Sequence, residues 1–367
     1  MSKNLKSVLS VVAIVFFLGS TVGLILTLTA GGSGKSEKPK LQVDLKTREE
    51  IITSAYKVYG DDEQNMWVAK TLVKNTGSVP VNDFRISYKI EGYCDWTSTE
   101  VYPTILPGET VRDYCWPNLD DAKVKEITTK TPVELTVKYE YDGLDEPIED
   151  TEKIYLLGKN DFVFTSLAED DIITFSDQFD NYPMIAAFVT PNEETVKSVA
   201  NTIAGGLETG MNDNDVYTAF LRCFEAMRQL GVKYIQEPSS YWSDRQAQYV
   251  QYPYETLTRY SGTCLDLAIC TAALMEAVGI KSYVALIPGH AIPVIELPSS
   301  GDLFPIEFTF VDKEYALSHY PGETSPDVTA EECVNIATDE LNTAVDEGSF
   351  ILIDIEKSWQ QGVMPIW

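Results

Sequence analysis

One helical run followed directly by three strand-like runs, in residues 264–311, constrains this chain more than any other feature. From Cys264 the pattern is helical: Leu267, Thr271, Leu274, Met275 and Val278 share a face, and Gly279 supplies a stop. Ser261 or Thr263 can cap the start. Residues 280–287, 291–297 and 304–311 are then rich in β-branched and aromatic side chains, parted by Pro288-Gly289-His290 and by Ser299-Ser300-Gly301-Asp302. Connections this short join antiparallel neighbours, so an α+β unit with a helix against a small sheet is expected.

That order also places chemistry. Cys264 falls in the first turn of the helix, where unpaired backbone N–H groups and the helix dipole stabilise a thiolate and can face a developing oxyanion. His290 opens the second strand and Glu307 lies on the third, which antiparallel pairing sets side by side. In a thiol enzyme these are a nucleophile, a general base and acid, and the carboxylate that fixes the imidazole tautomer. Asp266, an acid in the first turn, reads as a support for the helix start.

Three blocks, Gly262-Thr263-Cys264-Leu265-Asp266-Leu267-Ala268, Gly289-His290-Ala291 and Ile306-Glu307-Phe308-Thr309, resemble the signature blocks of the transglutaminase-like superfamily in order and spacing. The resemblance implies a papain-like core, Cys264 and His290 as nucleophile and base, and Glu307 where many members carry Asp. It implies a cysteine peptidase or amidase that works through an acyl-thioester on a protein or peptide substrate. Protein-glutamine amine transfer, and a catalytically silent surface-binding or scaffold role, are the alternatives. Gln251 or Tyr252 would take the place of the upstream polar residue that assists the oxyanion in papain-like enzymes. The aromatic residue common after the family's His is absent, Ala291 and Ile292 standing there.

Upstream, residues 66–74, 84–90 and 133–141 alternate apolar and polar side chains, with Asn75-Thr76-Gly77, Leu106-Pro107-Gly108 and Asp142-Gly143 as turns. Short strands so punctuated predict an all-β, immunoglobulin-like sandwich over residues 41–160, a spacer or docking module without histidine. Its Cys94 and Cys115 are candidates for a disulfide, with two free thiols as the other reading. An acidic connector over 161–190 leads to the transglutaminase-like domain at 191–367, where Cys223, Cys270 and Cys333 sit on apolar helical stripes and read as core.

Residues 7–34 carry no charge and include an apolar run from Val8 to Thr29, about the 20 residues a bilayer-spanning helix needs. Lys3 and Lys6 precede it, so the sequence predicts a single-pass anchor within residues 1–40, the amino terminus cytoplasmic and the body outside. A signal peptide cut near Ala30 is the alternative. The remainder holds 23 basic against 55 acidic residues, which disfavours nucleic acid as a partner. No CxxC pair or Cys/His cluster occurs, so neither a structural zinc nor any cofactor is expected.

Overall fold

The computed structural model describes residues 26–27, 38–60, 66–207, 211–236, 247–319 and 328–366. These fall into two compact units, one ending at Asp161 and the other running from Phe162.

Strands of the first unit are β1 (Leu26–Thr27), β2 (Leu41–Thr47), β3 (Glu50–Ile51), β4 (Ala69–Asn75), β5 (Val81–Ile90), β6 (Glu100–Ile105), β7 (Thr110–Cys115), β8 (Thr131–Glu140) and β9 (Ile148–Leu156). They form two sheets, of order β1-β2-β4-β7 and β3-β9-β8-β5-β6. Alternate residues of β2 and β8 are buried, as period-2 patterning requires. The Tyr88 hydroxyl of β5 meets Thr71 Oγ1 of β4 at 2.8 Å, tying one sheet to the other through the core. Asn75 holds the predicted turn, its carboxamide oxygen accepting from Gly77 N at 2.9 Å.

The fold class expected from sequence needs correction in two places. The unit is not all-β: a 3₁₀ helix spans Thr53–Gly60, helix α1 spans Asp121–Lys125, and β3 pairs with β9 in parallel. Helix α1 forms because Asp120 caps Ala122 N and Lys123 N ahead of good helix formers. The whole is a mixed α/β protein, with short helices also in the strand-rich first unit.

The second correction concerns the membrane. Among the described residues no helix is long and apolar enough to cross a bilayer, so the single-pass anchor and the exterior location inferred from it are not upheld. Of the run from Val8 to Thr29, only Leu26 and Thr27 are described, and they form β1, antiparallel to β2 with Leu26 opposite Val43. The rest of that run lies outside the described residues. A β-branched apolar stretch suits strand as well as helix, and composition alone does not separate the two.

Nor does the structure carry the disulfide. Cys94 and Cys115 are free and buried. Cys94 lies in the turn after β5 with its Sγ 3.1 Å from the Asp95 carbonyl, and Cys115 ends β7 opposite Ala69.

In the second unit, helices α2 (Glu194–Ile203), α3 (Asp213–Gln229), α4 (Pro253–Arg259) and α5 (Cys264–Glu276) precede a four-stranded antiparallel sheet. The parallel pair β10 (Lys233–Tyr234) and β11 (Ser261–Gly262) lies among these helices. The sheet's strands are β12 (Ser282–Ile287), β13 (His290–Glu296), β14 (Leu303–Pro305) and β15 (Ile351–Asp354), in the order β14-β13-β12-β15. Helices α6 (Lys313–His319), α7 (Ala330–Glu347) and α8 (Ile355–Gln360) complete it.

Every residue of β12 is buried, so both faces of the sheet are covered. Tyr283, Ala285 and Ile287 pack with Ala337, Leu341 and Ala344 of α7. Helix α5 packs on β12 and β13. The sequence suggested one apolar face for α5. In fact Cys264 through Met275 are all buried, making it the central helix of the unit.

Candidate active site

The start of α5 is built with unusual constraint. Helix α4 ends at Tyr260, a non-glycine residue at φ +53°, a conformation that costs about 1–2 kcal/mol. Backbone bonds hold the turn: Lys233 N donates to Tyr260 O at 2.9 Å and Ile235 N to Gly262 O at 2.8 Å. A side chain at Gly262 would put its Cβ 2.8 Å from the Cβ of Asp266, which explains the glycine two residues before the cysteine.

Thr263 is the N-cap, and the Thr263/Asp266 capping box closes reciprocally: Asp266 N donates to Thr263 Oγ1 at 3.2 Å and Thr263 N to Asp266 Oδ2 at 3.0 Å. Asp266 is buried and also accepts from Gln251 N at 2.8 Å and Gln251 Nε2 at 3.0 Å. Burial pushes its carboxyl above the usual range despite these donors. It is a clasp between the helix start and the preceding loop.

Gln251 therefore has a different position from the one sequence suggested. Its amide N–H groups serve Asp266 and the Ser261 carbonyl (3.1 Å), and its oxygen accepts from Arg259. Tyr252 is fully buried, caps α4 and packs its ring on Phe188 at 5.1 Å. Both belong to the scaffold that fixes Cys264, and neither stands as a free oxyanion donor.

Cys264, His290 and Glu307 do come together. His290 Nε2 lies 2.7 Å from Glu307 Oε2, and the His290 ring is hydrogen-bonded to Cys264 as well. Burial works to lower the imidazole pKa, but the Glu307 charge and the hydrogen bonds to Cys264 and Glu307 outweigh it and raise the group well above its usual value. Burial likewise works to raise the Glu307 carboxyl. The His290 charge and the bonds from His290 and Thr309 prevail and hold it below its usual value.

Glu307 is not on a strand as expected. The third strand stops at Pro305, and Glu307 caps the 3₁₀ turn Phe308–Val311, accepting from Thr309 N at 2.9 Å and from the Thr309 hydroxyl. Its own N–H donates to Cys333 O of α7 at 3.0 Å. One oxygen is thus anchored by Thr309 while the other is presented to His290.

Two neighbours were not identified from sequence. Glu340 of α7 brings a carboxyl oxygen within 4.8 Å of both the His290 ring and Glu307. Its signal was a charged residue on an apolar helical stripe, one turn beyond Ala337 and two beyond Cys333. One nitrogen and two carboxylates could serve a divalent cation by composition, but hydrogen-bond spacing between His290 and Glu307 marks them as partners of each other. Tyr315 of α6 feels the charges of Glu307, Cys264 and Glu340 in turn. Its ring stacks on His319 at 3.9 Å and meets Tyr234 edge-on at 4.6 Å. His319 ends α6 and is exposed.

Residues 134–298 match the family model of the transglutaminase-like domain, a stretch that includes Cys264 and His290 and ends before Glu307. A solved structure from Cytophaga hutchinsonii, provisionally named a cysteine protease, is similar over 66% of this chain and 72% of its own. Its identity is 15% and its TM-score 0.26, too slight a likeness to argue from. No curated protein matches the chain. The family likeness of this chain is therefore to the transglutaminase-like domain, over residues 134–298.

Proposed function

We propose that the protein cleaves peptide or side-chain amide bonds, with Cys264 as nucleophile, His290 as general base and acid, and Glu307 as the group that orients the imidazole. The observation that carries this reading is the His290 ring held between the Glu307 carboxylate at 2.7 Å and the sulfur of Cys264, at the first residue of a buried helix.

In the first step the sulfur attacks the carbonyl carbon, a C–S bond forms, and the first-turn N–H groups of α5 face the oxyanion. The C–N bond then breaks as His290 gives its proton to the departing amine. Water activated by the neutral imidazole hydrolyses the acyl-thioester and restores the thiol. An amine in place of water would give amine transfer by the same intermediate. The substrate this supports is a protein or peptide, whose chain supplies the amide.

The test is cleavage of a peptide library and release of ammonia from glutamine-bearing peptides, with wild type and Cys264→Ala compared. Loss of all activity in the variant, with an acyl-enzyme trapped on Cys264 in wild type, is the expected result. Undiminished cleavage by Cys264→Ala would remove the assignment. A fluorescent amine added to the same reaction reports transfer by its incorporation.

A further inference from the structure

We propose that Glu340 is a positioning residue of this relay: its carboxyl steadies Glu307 while it carries a proton and supplies a second negative charge beside His290 once it has lost it. The inference deepens the reading given above and rests on it.

Geometry comes first. Glu340, Glu307 and His290 each place one ligating atom within 4.8 Å of the other two. Two carboxylates this close in a largely buried site cannot both ionise cheaply, because each adds to the cost of charging the other. Glu307 is the one held charged, by His290 and the two Thr309 donors. Glu340 has no such support. Its Oε2 is buried without a hydrogen-bond partner, a costly state for a carboxylate oxygen and one that an added proton relieves by making the carboxyl a donor.

The surroundings agree. Facing the pair are His290 from β13, Cys264 from α5, Tyr315 from α6 and Cys333 from α7 itself, while Arg228 and Glu225 of α3 act on Cys333. His290 is the nitrogen base that shares this cluster with the two carboxyls. Burial, then the charge of Glu307, pushes Glu340 up to about 7, against the opposing pull of His290. Near neutrality, then, Glu340 passes from a neutral donor toward Glu307 to an anion that favours the imidazolium.

A sign follows for each limb of the pH profile. At acid pH Glu340 is neutral in any case, so replacing it with glutamine leaves the charge around His290 and the reactivity of Cys264 as they were. At alkaline pH the wild-type carboxylate keeps His290 charged, and glutamine cannot. Glu340→Gln therefore moves the upper limb down and spares the lower one.

The chain contains only two histidines, so a sample labelled with ring-¹³C histidine gives few resonances, and His319→Asn assigns them. Glu340→Gln is expected to lower the His290 midpoint by about one unit or more, the effect of removing a neighbouring opposite charge. Iodoacetate modification of Cys264 at pH 5.5 should stay within about twofold of wild type, since the lower limb is untouched. Glu340→Asp, which keeps the charge, should restore most of the shift. An unchanged midpoint in folded Glu340→Gln overturns the proposal. So does a wild-type His290 titration that is a single sigmoid, without an inflection from Glu340, a result that needs no variant to fold. Failure of the functional reading shows separately, as activity retained by Cys264→Ala.

Discussion

At the scale of single residues, His290 and Glu307 hold each other's charge states apart from their usual values. His290 is raised and Glu307 lowered, each mainly by the other against the cost of burial. The sign of the resulting pH dependence can be worked through. His290, with its folded pKa above the usual 6.5, contributes stability that is complete below that value and lost as pH rises through the folded one. Glu307, with its folded pKa below the usual 4.5, contributes stability that is complete above that value and lost as pH falls. The pair's contribution is therefore whole between 4.5 and 6.5 and declines on both sides. Glu307→Gln should flatten this dependence in urea unfolding and cut turnover by about 10²- to 10⁴-fold, as when a tautomer-fixing carboxylate is made neutral. A variant with wild-type pH dependence of stability would show that the pair is not coupled as described. The three residues that the fold brings together were legible because types and order coincide: Gly262-Thr263-Cys264, Gly289-His290 and Ile306-Glu307. Glu340 was overlooked because a single Glu in an acidic 18-residue helix looks like a solvated face unless its place on the stripe of Cys333, Ala337 and Leu341 is counted.

At the scale of elements, α5 came through well, with the Thr263 cap and the Gly279 stop at φ +78° where turn chemistry puts them. Its full burial did not, since helical periodicity reveals a face only when another face is polar. The third strand was overextended: Pro305 ends the pairing with β13, and Glu307 turns to α7, a partner distant in sequence. The end of α5 holds another unnoticed acid. Glu276 accepts from Ser282 N and Ser282 Oγ, both at 2.8 Å, and so ties the helix to β12. Burial pushes it up to about 7 from 4.5, so the folded state keeps a proton that the unfolded chain gives up between those values, and stability falls as pH rises across them. Glutamine keeps an acceptor and removes the titration. Glu276→Gln should match wild type near pH 4.5 and exceed it at pH 8 by up to about 3 kcal/mol in denaturant unfolding. Equal stability at both pH values would contradict this account of the α5–β12 tie.

At the scale of the whole molecule the chain is a mixed α/β protein of two compact units, and the amino-terminal reading did not hold. That stretch was judged by its length and lack of charge, and its described residues pair as strand β1. The six cysteines illustrate the same limit. All six are buried, so burial alone does not distinguish them. Position does. Burial raises Cys94, Cys115, Cys223, Cys270 and Cys333 above the usual thiol range, whereas Cys264 alone heads a helix with an imidazole bonded to it. The most direct measurement is the alkylation rate of each thiol in the native protein at pH 6, resolved by peptide mass spectrometry. Cys264 should react faster than the other five by at least about tenfold, equivalent to about 1.4 kcal/mol, and lose that lead in His290→Ala. A Cys264 no faster than the rest, or one indifferent to His290, would contradict the relay.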